Sequence, residues 1–159
     1  MKKQLTFHKK TIDITLTKSA SQQCTQLNSK LIIEIQIYFS CLLGKRLAFY
    51  TEQAMKGTWV VDDDLFRSML EGSQQLNGNV YIRFNTVMTK DCPVSDYVGP
   101  PPVTDFEISN QKPYVPEWLD LDFKNGVWSG EYGWSVSKHG TSNTKQLRDA
   151  ANKCGVGPD

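Results

Sequence analysis

The sequence has few of the residues from which metal centres and nucleophilic active sites are usually built. Its 159 residues include two histidines and four cysteines, and no two cysteines form a C-x-x-C pair. A metal site made of several histidines is therefore excluded, and nothing predicts a zinc or redox site made of paired cysteines. A G-x-S-x-G nucleophile elbow and a G-x-x-x-x-G-K-S/T phosphate loop are also missing. We expect the protein to need no cofactor.

Charge of one sign and long apolar runs are also scarce. Eighteen Lys and Arg face seventeen Asp and Glu, which gives a net charge of +1. Because no global field steers such a protein toward a polyanion, neither nucleic acid nor an anionic membrane is an expected partner. The most apolar stretch, residues 31–43, is too short to cross a bilayer as a helix. Lys9, Lys10 and Asp13 interrupt the apolar run of a signal peptide, so the sequence predicts a cytoplasmic protein.

The clearest periodicity is an alternation of apolar and polar side chains over residues 31–43. Every second residue is apolar: Leu31, Ile33, Ile35, Ile37, Phe39, Cys41 and Leu43. Because side chains alternate across a strand, this pattern predicts a half-buried strand with Glu34 and Gln36 on its solvent face. Gly44-Lys45-Arg46 is typical of a turn, and residues 47–50 are predicted to return as the antiparallel neighbour.

Three consecutive aspartates, residues 62–64, precede apolar residues at helical spacing. Aspartates cap the free amides at a helix start and suit its dipole, so the pattern predicts a helix near 62–71. Gly72 weakens any continuation, and Asn77-Gly78 limits the helix to 76 at the latest. Helix initiation explains the three carboxylates better than a metal site does.

The remaining segments are predicted from turn residues and weaker patterns. Residues 5–7 and 12–16 alternate like a short pair of strands, and the polar residues 18–29 predict a loop. Residues 93–116 hold six of the seven prolines. Because aromatic residues punctuate this proline-rich segment, we expect it to be irregular but packed on the domain.

These elements together predict the fold class. A second helix near 142–154 follows from a stripe of small and apolar residues closed by Gly155. The chain 1–159 is predicted to be one α+β domain, because its length suits a single domain and no linker divides it. Its sheet is predicted to be mainly antiparallel and built from hairpins.

Asn125-Gly126 is the strongest local signal in the sequence. A type I′ turn needs positive φ at both central residues, which Asn and Gly tolerate, so a hairpin is predicted over 117–137. A two-residue loop places Lys124 opposite Val127 and fixes every pair beyond them. One face of the hairpin is then apolar and is predicted to pack inward: Leu119, Leu121, Phe123, Trp128, Tyr132 and Trp134.

The other face of the predicted hairpin gathers acidic residues around a tryptophan. Asp120 faces Glu131, Asp122 lies one pleat away, and Trp118 faces Gly133. Like charges directly opposite each other are unfavourable, so the pair needs water, a bound cation or a retained proton. Asp120, Asp122 and Glu131 are the candidate ligands for a hard cation such as Mg²⁺, Mn²⁺ or Ca²⁺, or for acid/base work. With Trp118 they form the candidate ligand-binding set, and a merely solvated face is the alternative.

Two further features have ordinary structural explanations. Residues 138–142, Lys-His-Gly-Thr-Ser, run into the predicted C-terminal helix, where free amides can bind an anion but capping requires the same residues. Cys41 and Cys154 fall on apolar faces and are predicted to be small core residues rather than nucleophiles. Cys24 and Cys92 lie in predicted loops, without neighbours that would activate a thiol.

These patterns favour a non-catalytic cytoplasmic binding or interaction protein, since the core signals are strong and no coherent catalytic set is present. Its partner would be a small molecule or another protein, and its oligomeric state stays open. The first alternative is a metal-assisted hydrolase or related enzyme that uses the acidic hairpin face. The second is a sugar or nucleotide binder that uses an exposed Trp118. Dependence on a divalent cation separates the first alternative from the other hypotheses.

Overall fold

The computed structural model describes residues 1–39, 43–89 and 103–134. Within these ranges the chain forms ten β-strands, two α-helices and one turn of 3-10 helix, Lys112–Tyr114. The strands are β1 (Lys2–Phe7), β2 (Lys10–Leu16), β3 (Leu31–Phe39), β4 (Leu43–Thr51), β5 (Trp59–Val60), β6 (Gln74–Asn77), β7 (Val80–Thr89), β8 (Val103–Asp105), β9 (Trp118–Lys124) and β10 (Val127–Gly133). The helices are α1 (Lys18–Gln26) and α2 (Asp63–Glu71).

The strands form two sheets that pack against each other. The four-stranded sheet has the order β1-β2-β9-β10. The six-stranded sheet has the order β5-β4-β3-β7-β6, and β8 pairs with the far end of β7. Most neighbours are antiparallel, and three pairs are parallel: β2 with β9, β3 with β7, and β4 with β5. The prediction of one α+β domain with a largely antiparallel sheet is confirmed.

The main core lies between the two sheets. Buried side chains of both sheets meet there: Ile12, Ile14, Leu119 and Leu121 from the first, and Leu31, Ile33, Ile35, Ile37, Val80 and Ile82 from the second. A smaller cluster lies on the other side of the six-stranded sheet, where Phe66 and Met69 of α2 pack against Ile32. Each such side chain contributes about 1.5–3 kcal/mol on burial, so these clusters supply the dominant favourable term in folding.

The hairpin around Asn125-Gly126 forms in the predicted register. Asn125 has φ 54° and Gly126 has φ 77°, the positive values that a type I′ turn requires. Lys124 pairs with Val127, and the pairing continues to Trp118 opposite Gly133. The face predicted to be apolar points into the core, and its buried members are Leu119, Leu121, Trp128, Tyr132 and Trp134.

Strand β3 is buried on both faces, which corrects the prediction of a half-buried strand. It lies between β4 and β7, and Glu34 and Gln36 are only 2% and 0% exposed. Alternation shows which residues share a face, but not whether another layer covers that face. The predicted turn at Gly44-Lys45-Arg46 is also wrong, because these residues belong to β4, with Gly44 opposite Tyr38. A Cβ on Gly44 would collide with the Tyr38 ring, so glycine lets this ring lie across the neighbouring strand.

Residues 18–26 form helix α1, so the prediction of a loop over 18–29 is wrong. Thr17 caps the helix, since its side chain accepts a hydrogen bond from the backbone amide of Ala20. The buried residues of α1 are Ala20 and Cys24. Two small side chains one turn apart give little amphipathic signal in a polar run, which is why the sequence did not predict this helix.

Helix α2 forms where the sequence predicts it. The side chain of Asp62 accepts a hydrogen bond of 2.8 Å from the backbone amide of Leu65 and caps the helix. The helix ends at Glu71, and Gly72 is its C-cap. It does not extend to 76, because Gln74–Asn77 forms β6 as a hairpin partner of β7.

The proline-rich segment is described from residue 103 onward. The first described residues, Val103–Asp105, form β8, and Tyr114 and Val115 further along are buried in the core. The described part is thus packed on the domain, as the sequence predicts. It contains one short strand and the turn of 3-10 helix, and the other described residues of the segment are irregular.

Several predictions concern residues outside the described ranges. These are the helix near 142–154, the residues 138–142, and the cysteines Cys41, Cys92 and Cys154. Cys24 is described: it is buried in α1 rather than in a loop, and burial raises the pKa of its thiol. It is therefore a core residue and not a nucleophile. No helix in the described part of the chain is long and apolar enough to cross a membrane.

Candidate ligand-binding surface

The side of the four-stranded sheet that faces away from the core carries all four predicted ligand-binding residues. Asp120 of β9 lies directly opposite Glu131 of β10, and Asp122 is two residues further along β9. Trp118 lies opposite Gly133 at the other end of the strand pair. Because side chains alternate across a strand, the confirmed register brings all four to one surface.

Strands β1 and β2 extend this surface with residues that were not predicted. β2 runs parallel to β9 and places Asp13 beside Trp118 and Thr15 beside Asp120. Gln4 of β1 pairs with Asp13, and its side-chain amide donates a hydrogen bond of 2.6 Å to the Asp13 carboxylate. Parallel pairing of two strands a hundred residues apart has no local signal, so the sequence alone did not assign these residues to the site.

An open groove of about 870 Å³ runs along this surface. We call it the Trp118 groove, and the residues that line it are Lys2, Lys3, Gln4, Thr11, Asp13, Ile14, Thr15, Glu117, Trp118 and Asp120. Cavities of about 300–1,000 Å³ are typical of small-molecule sites. Trp118 and Asp120 therefore border a concavity and not a flat surface.

Trp118 is half-buried at the side of the groove. Its indole lies over Gly133, where a Cβ would come within 2.7 Å of the indole Cζ2. The glycine is thus what allows the indole to lie across β10. The indole Nε1 is buried and has no hydrogen-bond partner among the described residues. The result is an aromatic ring held in place at the groove by its contact with the sheet.

The Trp118 groove has an acidic character. Asp13, Glu117 and Asp120 line it, together with Lys2 and Lys3. Lys3 donates a hydrogen bond of 2.5 Å from Nζ to a backbone carbonyl of β6, and its ammonium group keeps its positive charge. Three carboxylates and two ammonium groups leave an excess of one negative charge, which weakly disfavours anionic ligands. The groove therefore suits neutral or cationic polar molecules better than phosphates or carboxylates.

Asp122 has a structural contact that the sequence did not reveal. Its Oδ1 accepts hydrogen bonds from the hydroxyl of Thr17 at 2.6 Å and from the backbone amide of Phe123 at 2.8 Å. Thr17 is the N-cap of α1, so Asp122 fixes the start of this helix on the end of β9. Of the three predicted acidic residues, Asp122 thus has one carboxylate oxygen engaged in holding the fold together.

Asp120 and Glu131 form the other part of the predicted metal site. A second concavity of about 320 Å³ adjoins the Trp118 groove and is lined by Thr17, Asp120, Leu121, Asp122, Ser129, Gly130 and Glu131. Glu131 is exposed, whereas Asp120 is half-buried. In the part of the chain that the structure describes, no group of three His, Cys, Asp or Glu side chains is placed to hold a metal ion. A metal site at Asp120, Asp122 and Glu131 stays a prediction.

A polar cluster on the outer side of the six-stranded sheet was missed by the sequence analysis. We call it the Arg46 cluster, and its members are Glu34, Gln36, Arg46, Tyr50 and Arg83. The Gln36 amide nitrogen donates to the Glu34 carboxylate at 2.5 Å and to the Tyr50 hydroxyl at 3.1 Å. Arg46 donates to the Gln36 carbonyl oxygen, and Arg83 forms an ion pair with Glu34. The available signal was Glu34 and Gln36 themselves, two polar residues in a strand that is otherwise apolar.

Burial changes the acid–base properties of the Arg46 cluster. It lowers the pKa of the Arg46 guanidinium, because the charged form loses hydration. It raises the pKa of the Tyr50 hydroxyl for the same reason, and the nearby Glu34 carboxylate raises this pKa further. Tyr50 is therefore a neutral hydrogen-bonding group at physiological pH.

No protein-family model, no curated protein and no solved structure matches the chain.

Proposed function

We propose that this protein is a non-catalytic binding protein whose ligand is a saccharide held in the Trp118 groove. The observation that carries the proposal is an indole held over Gly133 at the side of an open concavity of about 870 Å³. Indole rings have a large apolar face, which suits the C–H face of a sugar ring. The carboxylate, amide and hydroxyl groups beside it can accept and donate hydrogen bonds to sugar hydroxyls.

The charge of the groove separates a sugar from a nucleotide. The three carboxylates of the groove outnumber its two lysines, so the phosphates of a nucleotide gain no net attraction there, whereas a neutral sugar needs none. The Gln4 amide and the Asp13 carboxylate, both exposed, are hydrogen-bonded to each other, which favours one orientation of these groups before a ligand arrives. Such preorganisation lowers the entropic cost of binding. Neutral saccharides are thus the favoured ligand class.

A metal-assisted hydrolase at the acidic face is the less supported alternative. Asp122 is already bonded to Thr17, which leaves Asp120 and Glu131 as the carboxylates of a metal site. A cation at one hundred times its dissociation constant adds about 2.7 kcal/mol to the free energy of unfolding. A rise of the melting midpoint with millimolar Mg²⁺, Mn²⁺ or Ca²⁺, absent in Asp120→Asn, would favour this alternative over the saccharide.

The proposal includes a cytoplasmic location. It is compatible with Cys24, a buried free thiol in α1 and the one cysteine that the structure describes. Reduced cysteines are the rule in the cytoplasm, where thiols are kept reduced.

The test is a binding measurement with the full chain and neutral oligosaccharides. We expect at least one of cellohexaose, xylohexaose, maltohexaose and chitohexaose to bind in calorimetry and to change the tryptophan fluorescence. Trp118→Ala is expected to weaken binding by about tenfold or more, because large aromatic contacts contribute most at such surfaces. Trp59→Ala is the matched control, since Trp59 is also half-buried but belongs to the other sheet. The proposal fails if none of the four sugars binds, or if the two variants bind alike.

A further inference from the structure

The Arg46 cluster holds more positive than negative charge. Glu34 is almost fully buried, with a side chain 3% exposed, and it forms an ion pair with Arg83. Arg46 lies in the same hydrogen-bond network, yet no carboxylate among the described residues comes within 4.0 Å of its guanidinium. Two guanidinium groups therefore share one carboxylate. The Glu34 carboxylate thus offsets part of the positive charge of both arginines and leaves one positive charge in excess. An excess charge that is half-buried is costly, because its lost hydration is only partly replaced by an opposite charge.

Arg46 uses only part of its hydrogen-bonding capacity. Its Nε and one terminal nitrogen both donate to the same oxygen of Gln36, at 3.1 and 2.6 Å. A guanidinium carries five N–H donors, so three of them stay free of partners within the described ranges. Gln36 is a neutral acceptor, so the charge of Arg46 is offset only in part, by the Glu34 carboxylate that Arg83 shares. The remaining donors form the planar fork that suits a carboxylate or a phosphate.

Tyr50, which is 6% exposed, places a hydroxyl group at the other end of the same Gln36 amide. Its hydroxyl oxygen accepts from the Gln36 amide nitrogen at 3.1 Å, and the described residues offer its own hydrogen no acceptor. Gln36 thus has Arg46 on the oxygen end of its amide and Tyr50 on the nitrogen end. One buried amide group holds both donors in position. Because the network fixes them in advance, their ordering cost on binding is small.

We propose that Arg46 and Tyr50 form a binding site for an oxyanion, a phosphate or a carboxylate group, on the outer side of the six-stranded sheet. This site is separate from the Trp118 groove, which lies on the opposite side of the domain and on the other sheet. The oxyanion receives N–H donors from Arg46 and the hydroxyl hydrogen of Tyr50. Gln36 positions both donors and does not touch the ligand.

The direct test measures anion binding to the full chain at constant ionic strength. Inorganic phosphate and malonate are titrated against chloride, and the side-chain Nε–H signal of Arg46 is followed by NMR. We expect this signal to shift with at least one of the two anions but not with chloride. Arg46→Gln is expected to weaken binding by about tenfold or more, since it removes charge-assisted hydrogen bonds. Tyr50→Phe is expected to weaken it by about threefold, because it removes one neutral donor.

Arg67→Gln is the matched control for charge. Arg67 is exposed on α2 and its replacement changes the net charge by the same amount as Arg46→Gln. Arg46→Lys serves if Arg46→Gln does not fold: it keeps the charge but loses the planar fork, so weaker anion binding is again expected. The proposal is overturned if the Arg46 signal responds to neither anion. It is also overturned if Arg67→Gln weakens binding as much as the Arg46 variants do.

Discussion

Tyr132 donates a hydrogen bond of 2.5 Å from its hydroxyl to the backbone carbonyl of Gln36. The same hydroxyl accepts a hydrogen bond of 3.0 Å from the backbone amide of Arg46. Gln36 and Arg46 are partners in the β3–β4 pair, whereas Tyr132 belongs to the other sheet. The Tyr132 side chain of the four-stranded sheet thus bonds to the backbone of two strands of the six-stranded sheet. This contact joins the two sheets beneath the Arg46 cluster.

Replacing Tyr132 by Phe is expected to lower the free energy of unfolding by about 1–3 kcal/mol, because it leaves buried backbone groups without their partner. Urea unfolding at neutral pH measures this change. Tyr81→Phe is the control, because the Tyr81 hydroxyl makes no hydrogen bond within the described residues, and a change within about 0.5 kcal/mol is expected. Equal effects of the two substitutions would show that the Tyr132 hydroxyl does not join the sheets.

The same contact predicts a loss of stability at alkaline pH. Burial raises the pKa of Tyr132 and of Tyr50 above that of an unfolded tyrosine. Above pH of about 10 the unfolded chain releases these protons and the native protein retains them. The stabilisation is therefore complete below pH 10 and decreases above it, by at most about 1.4 kcal/mol per pH unit for each tyrosine. Urea unfolding between pH 8 and 11 should show this slope, and Tyr132→Phe should reduce it; an unchanged slope would contradict the assignment.

Two tight turns contain residues with positive φ, and we expect stability to rise where glycine is introduced and to fall where it is removed. Lys9 has φ 64° in the turn between β1 and β2, although only glycine and a few polar residues adopt such values without strain. Lys9→Gly is expected to raise the free energy of unfolding by about 0.5–1 kcal/mol. Gly126→Ala is expected to lower it by about 1–2 kcal/mol through backbone strain alone, because nothing lies within 4 Å of the added Cβ. Thermal melts of both variants check the pair, and a destabilised Lys9→Gly would refute the argument.

Asp120 and Asp122 are expected to differ although they are neighbours on one face. Asp122→Ala removes the partner of the Thr17 cap and should cost about 1–3 kcal/mol of stability. Asp120→Asn removes a like-charge contact with Glu131 and should leave stability unchanged or raise it by about 0.2–1 kcal/mol. Only Asp120→Asn should weaken sugar binding. Thermal melts measure the stability of both variants, and calorimetry measures their sugar binding. A destabilised Asp120→Asn, or weaker sugar binding by Asp122→Ala alone, would contradict these roles.

The sequence predicted best where one local pattern determined the structure. Asn125-Gly126 defined both the turn and the register, and with them the surface that carries Trp118 and Asp120. Asp62 likewise marked the start of α2, because its capping contact is made within the same segment. In both places the contacts that decide the conformation lie a few residues apart.

The sequence predicted least where distant strands decide the environment. Glu34 and Gln36 share a face of β3, but their burial depends on the neighbouring strands β4 and β7. Side chains of these strands contact them: Arg46, Tyr50 and Arg83. Helix α1 has a local cap at Thr17, but its buried side chains, Ala20 and Cys24, are too small to form an apolar stripe, and the helix packs against β9, about one hundred residues away. Asp13 and Gln4 joined the site through the parallel pairing of β2 with β9, which periodicity does not reveal.

The most direct test of the central claim is an NMR titration of ¹⁵N-labelled protein with the hexasaccharide that binds most tightly. We predict the largest shifts at the indole N–H of Trp118 and the side-chain amide of Gln4, with further shifts at the backbone amide of Thr15. Signals from Trp59 and α2, on the other sheet, should stay in place. Largest shifts at Trp59 or α2, or no shift at Trp118 while the sugar binds, would contradict a saccharide site in the Trp118 groove.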